Sequence, residues 1–517
     1  MAVRHKVVKV ESCFADGMTA TRSVIEISLS PGIPTFDITG LCDSSIRESR
    51  GRITSAIRSM GFLMPKGHIT VSISPAYMHK SGSGFDLPIA MGILFISDVI
   101  PYFDNVRVYA QGELSLAGDV KASPLAGLRL CEEARDPADM VFIPEEEIGA
   151  AAAAGTACMP VNTLQDVVDV LNSFAYMQET FEPELDFGKP RVIHHLSDLK
   201  GQPKAQEAIV TACAGMHSLL LLGSPGSGKT MAAGIIEDLM PPLTEDEARQ
   251  YMMLTENEND QRDGVMSLAR PVRHIYGNCS ISKLTGRAGS MVPGELALAN
   301  NGVLFADEIT DLDPKIIDAL KLPLEEHLVR MTKDNVTREL PASFLFVAAG
   351  NPCRCGLYYE NGSKCRCTSV MRRKYLSKLS GGFLDRIDIF TEMRSVKAKD
   401  LKDITGGISR HETEEDREAR RRIATAWEMQ KKRYCWTEGI TKVYNGTCER
   451  CDMNLFKFSP ELSAFASEAA IGMGLSARGF KNLMRVSRTI ADMKGAEEIT
   501  LPDVKQALMY KVRLDGI

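Results

Sequence analysis

Twelve residues, "LLLLGSPGSGKT" at 219–230, restrict this chain more than any other stretch. Leu219 to Leu222 form a short apolar run that reads as a buried strand. Gly223, Ser224, Pro225, Gly226, Ser227, Gly228, Lys229 and Thr230 follow as a G-x-x-x-x-G-K-T loop, and an Ala/Ile-rich helical segment comes next. This is a phosphate-binding loop in its expected strand–loop–helix setting. Its glycines let backbone N–H groups turn toward phosphate, and the helix N-terminus adds partial positive charge. Lys229 would reach the β- and γ-phosphates of ATP, and the Thr230 hydroxyl would hold Mg²⁺.

Further along, "NGVLFADE" (301–308) is a second buried strand running into Asp307 and Glu308. Carboxylates at the end of an apolar strand are costly unless they meet a cation or water. Asp307 is expected near the Mg²⁺ shell and Glu308 at the attacking water. A third strand, "SFLFVAAGN", ends at Asn351. At the C-terminal edge of a parallel sheet such a side chain faces the nucleotide crevice, which makes Asn351 a candidate γ-phosphate sensor. A turn-forming Asn before Pro352 is the plainer alternative. Two arginines stand out. Arg386 lies in "GGFLDRIDIF". Arg478 opens an amphipathic helix capped by Ser476, with Phe480, Leu483, Val486 and Ile490 at helical spacing.

The order of these motifs resembles the AAA+ ATPases of the magnesium-chelatase type, and more narrowly the ComM/YifB branch. "LKGQPKAQEAIVTACAGMHS", "VPGELALANNGVLFADE", "DALKLPLEE", "LSGGFLDRIDIF" and "GLSARGF…RTIADM" carry the likeness through nearly the whole chain. The resemblance implies ATP and Mg²⁺ as cofactors and a homo-oligomeric ring, usually a hexamer. It implies that Arg386 is a finger acting on a neighbouring subunit's ATP and that Arg478 is the second sensor from the lid. Where the family commonly carries a His pair, "RPVRHIYGNCS" has Tyr276-Gly277, and the second acidic motif reads "FADE".

Residues 1 to about 175 match the family's N-terminal domain, an α+β fold resembling the proteolytic domain of Lon (ribosomal S5-like). The match runs through "ITVSISPAYMHKSGSGFDLPIAMGIL" and "QGELSLAGDVKASPLAGLRLCEEA". Lon pairs a Ser nucleophile with a Lys base. Here Gly84 falls at the nucleophile position and Arg129 at the base, and arginine stays charged. Ser83 is one residue away. A structural or partner-binding role is expected in place of proteolysis.

Thirteen cysteines without an apolar leader argue for metal ligands or free thiols over disulfides. In "NPCRCGLYYENGSKCRCT", Cys353, Cys355, Cys365 and Cys367 can surround Zn²⁺ tetrahedrally, and four free thiols are the alternative. "CERC" at 448–451 has no partner pair nearby.

The expected organisation is a front domain over 1–175, a charged Pro-containing linker over 176–198, an α/β P-loop AAA+ core over 199–395 and a helical lid over 396–517. The apolar "DLPIAMGILFISDVI" is led by Asp86 and is too short to span a membrane, so it reads as a buried helix, and a cytoplasmic protein is expected. Net charge is −6, which advertises no global affinity for nucleic acid. Basic residues Arg270, Arg273, Lys283 and Arg287, and a hairpin around Lys333-Asp334-Asn335, are candidates to line a ring's pore; a solvated face is equally compatible. Three functions compete: a ring motor moving on branched or single-stranded DNA, as the ComM resemblance implies; a chelatase-type motor remodelling a protein partner; and a Lon-type protease, disfavoured by Gly84 and Arg129.

Overall fold

The computed structural model describes residues 7–16, 19–40, 44–76, 80, 82–123, 127–134, 136–173, 178–186, 194–255, 265–288, 292–333, 336–360, 365–395, 412–436, 443–448 and 453–511. The chain divides into two compact units. One comprises residues 1–186 together with 247–268, and the other 187–246 together with 269–517.

The front unit is built on a seven-stranded mixed sheet, in the order 35–39, 68–74, 19–30, 7–16, 108–110, 140–144, 159–161. Val7–Asp16 and Thr19–Ser30 pair antiparallel, whereas Val108–Ala110, Met140–Pro144 and Met159–Val161 run parallel. The expected buried helix forms over Asp86–Ile96, and every one of its residues is buried. Its leading Asp86 is tolerated in the core because Arg52 donates to it at 2.7 Å and the Leu114 N–H at 3.3 Å.

A segment expected inside the ATPase core joins this unit. Val265–Ser267 pairs in parallel with Glu184–Asp186, which lies in the expected linker. The helix Glu245–Thr255 contributes the Met253 carbonyl that accepts from Arg129 at 3.2 Å.

The second unit holds a five-stranded, all-parallel sheet in the order 272–275, 303–306, 345–350, 219–223, 389–393. Its three inner strands, 303–306, 345–350 and 219–223, are continuous apolar runs, as expected of parallel strands buried on both faces, whereas the edge strands 272–275 and 389–393 carry polar residues. Leu219–Gly223 and Leu345–Gly350 are buried at every position. Helices Pro203–Gly215, Glu414–Tyr434 and Ala477–Asp492 share its core, so the segment read as a lid packs into the same unit as the sheet. Ser476 caps its helix by accepting the Gly479 N–H at 3.1 Å, as its sequence implied. Asp313 caps Pro314–Leu320 in the same way. The expected hairpin pairs Leu328–Lys333 with Val336–Pro341; Asp334 and Asn335 at its tip lie outside the described residues. No helix among the described residues is long and apolar enough to cross a membrane.

Candidate nucleotide site and cysteine cluster

The phosphate loop leaves the C-terminal end of Leu219–Gly223, the central region of the parallel sheet where the strand order reverses. Gly226 and Gly228 adopt φ of +73° and +91°, which turns the backbone back before the helix Lys229–Leu239. Lys229 Nζ donates to the carbonyls of Gly223 at 2.8 Å and Ser224 at 2.9 Å, and approaches Asn351 Oδ1 at 3.4 Å. Burial pulls the Lys229 ammonium below its usual pKa, and the nearby Asp307 and Glu308 charges oppose the shift. Thr230 Oγ1 donates to Asp307 Oδ2 at 3.1 Å. That hydroxyl–carboxylate pair suits a hard cation that keeps most of its water. Asp307 also accepts the Glu308 N–H at 2.9 Å, with Glu308 in the left-handed region (φ 50°) and its side chain exposed. Hydrogen bonds therefore pair Lys229 with Asn351 and its neighbour Thr230 with Asp307, and Glu308 follows Asp307 in the chain.

A cleft of about 1340 Å³ opens beside the loop, lined by Gln202, Thr391, Arg394, Ser395, Met473 and Tyr510 among others. It adjoins the loop because Met393 pairs with Gly223 and its carbonyl accepts the Ser224 N–H at 3.2 Å.

Arg386 lies at the opposite, N-terminal end of the strands. Ser218 Oγ donates to the Arg386 carbonyl at 2.7 Å, and Leu219 pairs with Ile389. Six strand residues at about 3.3 Å each separate Ser218 from Ser224, roughly 20 Å. That exceeds the reach of an arginine side chain. Arg386 is fixed by the Lys321 carbonyl at 2.8 Å, the Gly382 carbonyl at 2.6 Å and the Glu325 carboxylate. Arg478 donates to the other oxygen of the same Glu325. The two arginines singled out in the sequence thus meet each other. Glu325 was not foreseen as a site residue: it lies within "DALKLPLEE", which carries the family likeness but assigns this acid no role, and only the need of two adjacent guanidiniums for an acid points to it.

Of the basic residues offered for a pore, Arg270 is corrected to a structural role. It is 9% exposed, donates to Pro241 at 2.5 Å, to Pro242 at 3.2 Å and to Asn301, and stacks over Trp427 at 4.9 Å. Arg273 is paired with Glu295 at 2.7 Å. Lys283 and Arg287 are exposed.

The four cysteines after Asn351 come together. Their Sγ atoms all lie within 4.8 Å of one another. Cys353–Cys355, Cys353–Cys365 and Cys355–Cys365 are separated by 3.4, 3.7 and 3.6 Å. A tetrahedron with Zn–S of about 2.3 Å has edges of about 3.8 Å, so the set fits a thiolate-bound metal. The Leu357 N–H pulls the exposed Cys355 thiol down to about 6, and burial pushes Cys353 up to about 12. Cys448 is buried, and Cys451 lies outside the described residues.

In the front unit, a Cβ on Gly84 would lie 2.0 Å from Gln111 Nε2, and the buried Arg129 donates to the Met253 carbonyl at 3.2 Å. Ser83 Oγ donates to Glu113.

Comparison with known proteins agrees with this layout. Residues 195–401 match the family described as magnesium chelatase, subunit ChlI; residues 25–147 match subunit ChlI of Mg-chelatase, and 413–511 the ChlI C-terminal family. Competence protein ComM of Haemophilus influenzae is 32% identical over 506 residues, covering 96% of this chain and 95% of that protein. YifB of Escherichia coli, described as uncharacterized, is 30% identical over 498 residues, with 96% and 95% covered. Magnesium-chelatase subunit ChlI of Pyropia yezoensis is 26% identical over 206 residues, 36% of this chain and 52% of that one. The chain belongs to the magnesium-chelatase-like family that includes ComM and YifB.

Proposed function

We propose that this protein is an Mg²⁺-dependent ATPase that works as a homo-oligomeric ring with active sites between subunits. One observation carries the reading: Arg386 is anchored beside Ser218, at the end of the strands opposite the phosphate loop of its own chain. Lys229, Thr230, Asp307, Glu308 and Asn351 supply the phosphate end, and a neighbouring subunit's Arg386 and Arg478 supply the positive charge. In phosphoryl transfer an arginine delivered in trans is worth about 10³–10⁵ in turnover. Lys229 holds the β- and γ-phosphates, Glu308 accepts the proton of the attacking water, and Asn351 orients that water. Thr230 and Asp307 would hold Mg²⁺, which would supply positive charge against the phosphates. The cleft at Gln202 and Tyr510 receives the base and ribose. Cys353, Cys355, Cys365 and Cys367 hold one structural Zn²⁺.

The ring's substrate is DNA, single-stranded or branched, and the work done is branch migration. The support is the full-length likeness to a protein named for competence, together with the exposed Lys283 and Arg287. Phosphate contacts of this kind are sequence-independent and weaken steeply with salt. The test is the ATPase rate with and without a synthetic four-way junction, in 50 and 200 mM salt. Stimulation that fades with salt, and junction movement abolished by Lys229→Ala, are expected. Hydrolysis indifferent to DNA, with no junction bound, would transfer the reading to remodelling of a protein partner, as in the chelatases.

A further inference from the structure

The cysteine cluster does not sit apart from the nucleotide site. Gly356, one residue past the first cysteine pair, lies against the phosphate loop. It adopts φ +76°, and a Cβ there would come within 2.6 Å of Pro225 Cδ. A turn closed by the Gly356 N–H on the Cys353 carbonyl at 2.9 Å sets that approach. Four residues on, Glu360 gathers three donors. Ser224 Oγ of the phosphate loop donates to Oε1, the Ser395 N–H donates to the same oxygen at 2.8 Å, and Ser395 Oγ donates to Oε2 at 2.5 Å. Ser224 is 1% exposed, so its hydroxyl has little access to water as a substitute partner. Ser395 follows the strand Ile389–Met393 and lines the cleft beside the loop. One carboxylate therefore ties the phosphate loop to the cleft wall, and it is carried on the segment between the two cysteine pairs.

We propose that Glu360 is a positioning residue for nucleotide binding, and that Zn²⁺ on Cys353, Cys355, Cys365 and Cys367 sets its place, so that metal occupancy controls the shape of the phosphate loop. This rests on the zinc reading given above. Without the metal, the segment from Cys353 to Cys367 keeps its ends but loses the cross-link that closes it. Glu360 then holds Ser224 and Ser395 only by ordering its own loop, at a cost in chain entropy. A bound metal removes that cost beforehand, which is preorganisation in the usual sense. The side-chain amide of asparagine or glutamine would not serve equally well, since all three partners are donors and a carboxylate accepts all three without offering a competing N–H.

The experiment uses the full-length chain and a fluorescent ATP analogue with Mg²⁺, with zinc per chain measured on the same samples. Hydrogen exchange across 223–230 is followed in parallel. Glu360→Asp keeps the charge and shortens the reach by one methylene. It is expected to retain one zinc, to bind nucleotide about tenfold more weakly, and to exchange faster across the loop. Cys355→Ser combined with Cys367→Ser is expected to lose zinc and weaken binding by a similar factor. Adding Glu360→Asp to that pair should cost little more, because both act through one tie. Wild-type affinity in Glu360→Asp overturns the positioning role. Zinc loss with unchanged affinity overturns the coupling, as does wild-type protein that binds nucleotide yet holds no zinc. Wild-type protein that holds zinc but binds no nucleotide refutes the ATPase reading instead, so the failures are separable.

Discussion

Placing a serine at position 84 puts the expected absence of a peptidase site in the front unit to a physical test. The backbone at Gly84 is buried, and its carbonyl accepts the Gly112 N–H at 3.0 Å. Any Cβ there would stand 2.0 Å from Gln111 Nε2 and 2.8 Å from Ser123 Oγ. Gln111 cannot simply swing aside, since it is 3% exposed and its Oε1 accepts from Ser12 Oγ at 2.5 Å. Overpacking of a filled site costs about 1–3 kcal/mol. Breaking the buried Ser12–Gln111 bond adds about 1 kcal/mol. Gly84→Ser should therefore destabilise the front unit by about 2–4 kcal/mol and create no peptidase. Native-state hydrogen exchange of peptides covering Val7–Asp16 and Asp86–Ile96 reads this directly, without requiring the two units to unfold together. Exchange there should quicken by about thirty- to a thousandfold, at tenfold per 1.4 kcal/mol. Gln111→Ala should relieve part of the penalty in the double variant, a coupling of about 1 kcal/mol or more. Exchange within threefold of the parent, or labelling of the new serine by a fluorophosphonate, would refute the argument.

Other perturbations have equally definite outcomes. Arg386→Ala and Glu308→Gln should each fall about a thousandfold in turnover, and mixing the two should restore activity through interfaces that combine the intact halves; full activity in Arg386→Ala alone sinks the trans assignment. Asp492 is fully buried and accepts from Arg433 at 2.6 and 2.7 Å, Arg488 at 3.0 Å and Asn445 at 2.8 Å. Asp492→Ala strands these donors and should cost about 3–5 kcal/mol, and a melting temperature within 2 °C of the parent contradicts this. Burial, reinforced by the Arg485 charge, lowers His327 to about 4 from the usual histidine value of about 6.5. A base depressed in the folded state is neutral there while the unfolded chain protonates. Stability should thus be complete above pH 6.5 and decline by up to about 3 kcal/mol as pH falls to 4. His327→Asn, which tolerates the left-handed φ of 55° at this site, should flatten that slope.

Local features of this molecule were legible in its sequence wherever one stretch determines its own chemistry. The phosphate loop, the acidic strand end and the caps at Ser476 and Asp313 each depend on residues a few positions apart. Long-range pairing was not legible. Nothing near Glu325 signals that Arg386 and Arg478, distant in sequence, will converge on it. Nothing around Glu360, between the two cysteine pairs, signals its role, because its partners Ser224 and Ser395 are 136 and 35 residues away. Arg270 looked like a cation available to DNA, whereas its guanidinium is consumed by three carbonyls and the Trp427 face. Charge in a sequence does not reveal whether its partners are solvent or backbone. The parallel pairing of Glu184–Asp186 with Val265–Ser267 joins segments about eighty residues apart, a non-local contact that alternation patterns cannot register.

That last pairing bears on how cleavage acts on the molecule. The chain leaves the front unit after Asp186, re-enters it at Glu247 and leaves again after Leu268, so three peptide connections join the two units. A proteolytic nick after Asp186 leaves residues 247–268 of the front unit on the other fragment, so the severed 1–186 is retained only by its packing against that segment. A truncation ending near residue 175 would discard both strands of that pair and the Met253 carbonyl that buries Arg129. Exchanging the front unit between relatives therefore requires grafting two separate segments together.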